Sequence, residues 1–114
     1  MTNPNPGDRI LILKEPWLSM VIQGRKTMEI RSRPLSGKFF LGFQKRIFGV
    51  MTMGSPQHIP DSQAFRRLHQ QHRVRGSLPY KKTFGLPILE VRAIKPPIAF
   101  KHARGAVSVV RYRG

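Results

Sequence analysis

A chain of 114 residues, 39% of them hydrophobic, suffices for one domain with its own core and is too short for two. The absence of cysteine excludes disulfides and thiolate metal sites, and no apolar run approaches the roughly 20 residues of a membrane helix. Twenty-one Lys+Arg against 5 Asp+Glu give a formal net charge of +16, and after Asp61 the basic residues from Arg66 to Arg113 meet a single acid, Glu90. Such a surface attracts polyanions through counterion release, with nucleic acid the foremost candidate. An anionic membrane surface is the lesser one, because no basic helix with a clean apolar face is visible.

The opening "MTNPNPGDR" lacks the apolar core of a signal peptide, so an intracellular location, cytoplasmic or nuclear, is expected and secretion is not. Residues 1–8 read as a disordered leader, since Pro4 and Pro6 oppose regular structure, and residues 9–114 as one domain. "RILILK" (Arg9 to Lys14) has strand length and composition. "EPWLSMVIQG" predicts a short helix, with Pro16 in its first turn, Gly24 ending it in a left-handed conformation, and Trp17, Met20 and Val21 facing the core. "KTMEIRSRP" then alternates: Met28 and Ile30 on one face, Thr27, Glu29 and Arg31 on the other.

"KFFLGF" and "RIFGVMTM" predict a hairpin turning at Gln44-Lys45. "GSPQHIPDS" reads as a loop, with Asp61 or Ser62 capping a helix over Ser62–His72. "RVRGSLPYKK" is an irregular basic segment. "FGLPILEVRAI" reads as a strand that Pro87 pushes toward a bulge or an edge, "KPPIAFKHARG" as an extended loop, and "AVSVVRYR" as a closing strand. About six strands and two short helices make an α+β domain built on a small sheet or barrel.

The chemistry concentrates in "GRKTMEIRS". Lys26 can project from the turn after the helix, and a carboxylate two residues from a guanidinium on one strand face can fix the arginine's fork. An ordinary surface ion pair between Glu29 and Arg31 is the plain alternative. This run and its flanks resemble the ASCH domain of the PUA-like superfamily. The family's G-x-K-x-x-E-x-R pattern falls on Gly24, Lys26, Glu29 and Arg31, with Pro16-Trp17 opening the preceding helix and Arg33-Pro34 following. The likeness extends through the Gly37 to Leu41 strand and "PPIAFKHARGAVSVVR", from about Ile10 to Arg111.

The resemblance implies a small PUA-like β-barrel and a nucleic-acid-binding cleft between the first helix and the barrel. RNA or single-stranded DNA is favoured, and reading of a modified base stays open. Lys26 and Arg31 would meet phosphate or base, Glu29 would orient Arg31, and Arg33, Lys81, Lys82 and Arg104 would supply electrostatic footing. Tyr80, beside the two lysines, and Tyr112 are the stacking candidates; the other aromatics fall on periodic segments and are expected in the core. Some ASCH proteins are amidohydrolases on N4-acylated cytidine, with a threonine nucleophile three residues after the motif lysine. Here that position is Glu29, and Thr27 lies one residue after Lys26, so no catalytic residue is assigned.

A nucleoside-directed hydrolase (amidohydrolase or ribonuclease) and a ribosome-associated basic protein remain the alternatives. His69 and His72 are expected to be exposed polar residues and not metal ligands, since no third ligand is at hand. No cofactor, no metal and no membrane partner are expected, and the chain is expected to be a monomer.

Overall fold

Short apolar runs and period-two alternation predict sheet, and the computed structural model, which describes residues 3–102 and 108–114, supplies it as seven strands with three short helices. In chain order these are β1 (Arg9–Ile12), α1 (Trp17–Ile22), β2 (Met28–Arg31), β3 (Gly37–Phe43), β4 (Arg46–Met53), β5 (Gln57–Ile59), α2 (Ser62–Arg67), α3 (His69–His72), β6 (Thr83–Ala99) and β7 (Val109–Arg111). The strands form one curled sheet in the order β2-β6-β4-β3-β1-β7, with β5 also paired to β6. All pairings are antiparallel except β1 with β3.

Local chemistry explains most boundaries. Gly24 leaves α1 at φ 77°, and Arg25 N–H reaches back to Met20 O, satisfying carbonyls at the helix end. Gln44 and Lys45 both take positive φ, the requirement of a tight two-residue hairpin of the primed type, between β3 and β4. Asp61 caps α2 by accepting from Ala64 N–H at 2.8 Å.

Four expectations change. The single helix over Ser62–His72 breaks at Leu68 into α2 and α3. The loop between Gly54 and Pro60 contains β5, three residues that pair with β6. The extended loop after Ile94 begins as a continuation of β6, whose last residues, Ile98 and Ala99, pair with Ile47 and Arg46. The described part of the leader is a turn: Asn5 N–H binds Asp8 Oδ2, Gly7 N–H donates to Tyr112 O, and Pro4 is buried.

Alternation gives the sheet two apolar faces. Leu11, Leu13, Phe39, Leu41, Met51 and Met53 form one with Leu18 and Val21 of α1. Ile10, Phe40, Ile47, Val50 and Val110 form the other, covered by Phe100. Met28 and Ile30 point away from the Glu29 and Arg31 face, as alternation requires, and meet Ile59 and Phe65. Fully burying each such side chain contributes about 1.5–3 kcal/mol, so the core fixes which face of β2 is left for chemistry.

Candidate nucleic-acid interface

The sheet runs out at β2 on one side and at β7 beside β1 on the other. Arg31 spans that gap. Its Nε donates to Glu29 Oε2 at 2.8 Å, Nη2 lies 2.8 Å from the same oxygen and donates to Ile12 O at 2.9 Å, and Nη1 reaches Ser108 Oγ at 3.4 Å. A guanidinium has five N–H groups, so one of Nη1 keeps no partner among the described residues.

A cavity of about 380 Å³ opens here, walled by Ile12 at the end of β1 with Leu13 and Lys14 just past it, Glu15 and Trp17 before and in α1, Glu29 to Arg31 of β2, and Val74, Pro79 and Tyr80. Lys26 lies at its base, not projecting from the turn as expected. Its side chain is 1% exposed; Nζ donates to the carbonyl of His72, stands 3.5 Å from Glu29 Oε1 and lies 4.9 Å over the Trp17 ring. Burial pushes its pKa below the ordinary lysine value, and the Glu29 carboxylate opposes that shift. An amine this deep stays charged only with such partners, and together they define a motif pointing inward at Lys26 and outward at Arg31.

Glu29 joins the two, with Oε1 on Lys26 and Oε2 on Arg31. The expected orientation of the arginine fork by the carboxylate is thus present, in a buried form and not as a surface ion pair. Tyr80 lines the cavity and is 43% exposed. Lys81 and Lys82 follow it on the exposed surface, and Arg33 is exposed just past β2; none of these three lines the cavity. Arg104 lies outside the described residues. Tyr112 is partly buried against the second apolar face.

Trp17, Lys14 and Glu15 were not singled out as site residues, yet they form a wall of the cavity. Pro-Trp at a helix start was the available signal: an indole on a helix of six residues has little helix to hide behind. His72 was expected at the surface and is fully buried. It stacks on Phe65 with centroids 4.1 Å apart, its Nε2 lies 2.7 Å from Phe65 O, and its Nδ1 accepts from Val74 N–H at 2.9 Å. His69 meets only its edge, 5.8 Å away between centroids, and no cluster of three metal-ligating side chains exists among the described residues. No helix of the described residues is long and apolar enough to cross a membrane.

No family model matches the sequence, and no curated protein matches it. Among solved structures, the ASCH protein of Zymomonas mobilis is similar at 15% identity and TM-score 0.72, over 96% of this chain and 90% of that one. A mutant of the same protein is similar at 14% identity and TM-score 0.72, over 97% of this chain and 92% of that one. With the α+β curled sheet, its short helices and the seam at Arg31 in place, the chain has the fold of ASCH domain proteins.

Proposed function

We propose that the chain is a nucleic-acid-binding module that takes RNA or single-stranded DNA at the Arg31 cavity. The observation that carries this reading is the posture of Arg31: held by Glu29 and Ile12 O at the cavity wall, with an N–H of Nη1 left over, in a protein of net charge +16. A guanidinium fixed before binding loses little rotamer entropy on meeting a phosphate or base edge. Trp17 and Tyr80 add aromatic surface for a base, and Lys81, Lys82 and Arg33 add charge around the mouth. Lys26 acts through Glu29, as a positioning residue and not as a contact.

The hydrolase alternative is less well supported. Both oxygens of Glu29 are already held by cations, Oε1 by Lys26 and Oε2 by Arg31, and Thr27 is exposed and outside the cavity lining.

Anisotropy of labelled single-stranded RNA, single-stranded DNA and duplex DNA across a salt series tests the reading. Wild type binds single strands more tightly than duplex, and Arg31→Ala costs about 1.5–3 kcal/mol of binding, the range for a hydrogen bond to a charged group. Equal affinity for all three ligands, unchanged in Arg31→Ala, would show net charge acting without the cavity.

A further inference from the structure

We propose that two copies of the chain pair through the open edge of β6, antiparallel about a two-fold axis at Val91. This does not depend on the nucleic-acid reading. The first half of β6 is flanked on both sides: Gly85 stands opposite Ile30 of β2 and Gln57 of β5. Ile88 N–H still reaches Thr27 O at 2.9 Å. From Leu89 to Ala93 only β4 remains, on one side, and the other edge has no backbone partner among the described residues.

The direction of the free groups follows from Gly49. A Cβ there would stand 2.8 Å from the carbonyl oxygen of Arg92, so that carbonyl faces β4. Backbone groups alternate sides along an antiparallel strand, so Val91 and Ala93 turn their N–H and C=O to the open edge. An unpaired edge of this kind is a template for another strand.

The sequence of the edge selects a second copy as the occupant. Run antiparallel to itself about Val91, "LEVRA" sets Glu90 opposite Arg92 of the second copy, Arg92 opposite its Glu90, and Leu89 opposite its Ala93. The Glu90 and Arg92 side chains are 65% and 69% exposed and stand 3.6 Å apart within one strand. In the pair, four charges alternate in sign and every neighbour is an opposite, the self-complementarity that an isologous contact demands. Leu89, the most exposed large hydrophobic residue among the described residues at 69%, gains cover.

Register is fixed from both ends. Leu89 is the extra residue of a bulge between Ile88, opposite Met53, and Glu90, opposite Thr52. At the other end residues 94–97 of β6 form a wide bulge between the Gly49–Ala93 and Ile47–Ile98 pairs, and Pro96 and Pro97 have no N–H to offer. A slipped pairing would place Glu90 against Glu90 or Arg92 against Arg92. The composition favours a monomer through charge repulsion, but that repulsion is screened beyond about 8 Å at physiological salt.

The chain has no cysteine, so Val91→Cys places one thiol on the proposed axis. Directly opposed, hydrogen-bonded residues have Cα atoms about 5.5 Å apart, within disulfide reach. Under mild oxidation Val91→Cys is expected to give a covalent dimer, while Lys45→Cys, at the hairpin turn, gives far less. In sedimentation velocity the unmodified chain is expected to show a monomer–dimer equilibrium. Glu90→Arg and Arg92→Glu each weaken it about tenfold, two reversed pairs at the usual cross-strand energies, and the double swap restores it. Cross-linking at Val91→Cys no faster than at Lys45→Cys would overturn the proposal. So would a chain monomeric at its highest soluble concentration, or a dimer indifferent to both single reversals.

Discussion

The ammonium of Lys26 donates to the backbone carbonyl of His72, 46 residues away in sequence and at the end of α3. With Glu29 on its other side, Lys26 ties the turn after α1 and the strand β2 to the α2–α3 pair. Removing one partner of a buried ion pair leaves the other uncompensated, and here the His72 carbonyl also loses a donor. Lys26→Ala is expected to cost about 3–5 kcal/mol in urea unfolding, and Lys26→Met, which keeps the volume, less. If Lys26→Ala unfolds at the wild-type midpoint, the amine is not a structural tie.

His72 makes stability depend on pH. Val74 N–H can only donate to Nδ1, so Nε2 carries the proton and donates to Phe65 O. Burial pushes the pKa below the ordinary histidine value; the Phe65 carbonyl opposes this, and Lys26 and His69 add to it. The unfolded chain therefore takes up a proton near pH 6.5 that the folded chain refuses. Stability is complete above that pH and falls as the solution is acidified below it. Unfolding midpoints at pH 7.5 and 5.5 should diverge in wild type and converge in His72→Gln. Equal divergence in both would assign the effect to other groups.

Trp17 is the only tryptophan, and it shares the cavity wall with Arg31 and Tyr80. A base stacked there changes the indole's surroundings directly. Titration with unlabelled single-stranded RNA is expected to quench intrinsic emission with the same midpoint as anisotropy, and in Arg31→Ala, with the fold retained, the quench should move to about 10- to 150-fold higher RNA, the equivalent of about 1.5–3 kcal/mol. A midpoint shared by both signals in wild type, and moved together to higher RNA in the variant, would place the ligand at the cavity. Binding by anisotropy with unchanged emission would place it elsewhere.

The architecture was legible because it is carried by short-range signals. Alternation in Met28 to Arg31, Gly24 after an apolar turn of helix, and Asp61 before Ser62 each act within a few residues. What escaped is non-local. Gln57–Ile59, bracketed by Pro56 and Pro60, becomes strand only because Thr83 to Gly85 present an edge to it. Lysine and histidine are usually exposed, and nothing near Lys26 or His72 in sequence announces the carbonyls of His72 and Phe65 that make their burial tolerable. The pairing of Glu29 with Arg31 could be read from spacing; the depth of the motif could not.

Tyr80, Lys81 and Lys82 adjoin in sequence and divide in role. Tyr80 lines the cavity, whereas the two lysines are exposed and outside its lining. Stacking a base is nearly independent of salt, and neutralising phosphates is not. Tyr80→Ala is expected to lose about 1–3 kcal/mol of single-strand affinity with an unchanged slope of log K against log salt. The double substitution Lys81→Ala and Lys82→Ala should flatten that slope by about 1.4 on a single strand, two phosphates' worth, while leaving the preference for single strands over duplex intact. Anisotropy at four salt concentrations separates the cases. A Tyr80→Ala variant that loses slope, or a lysine variant that loses ligand preference, would mean the cavity and its charged margin do not divide the work in this way.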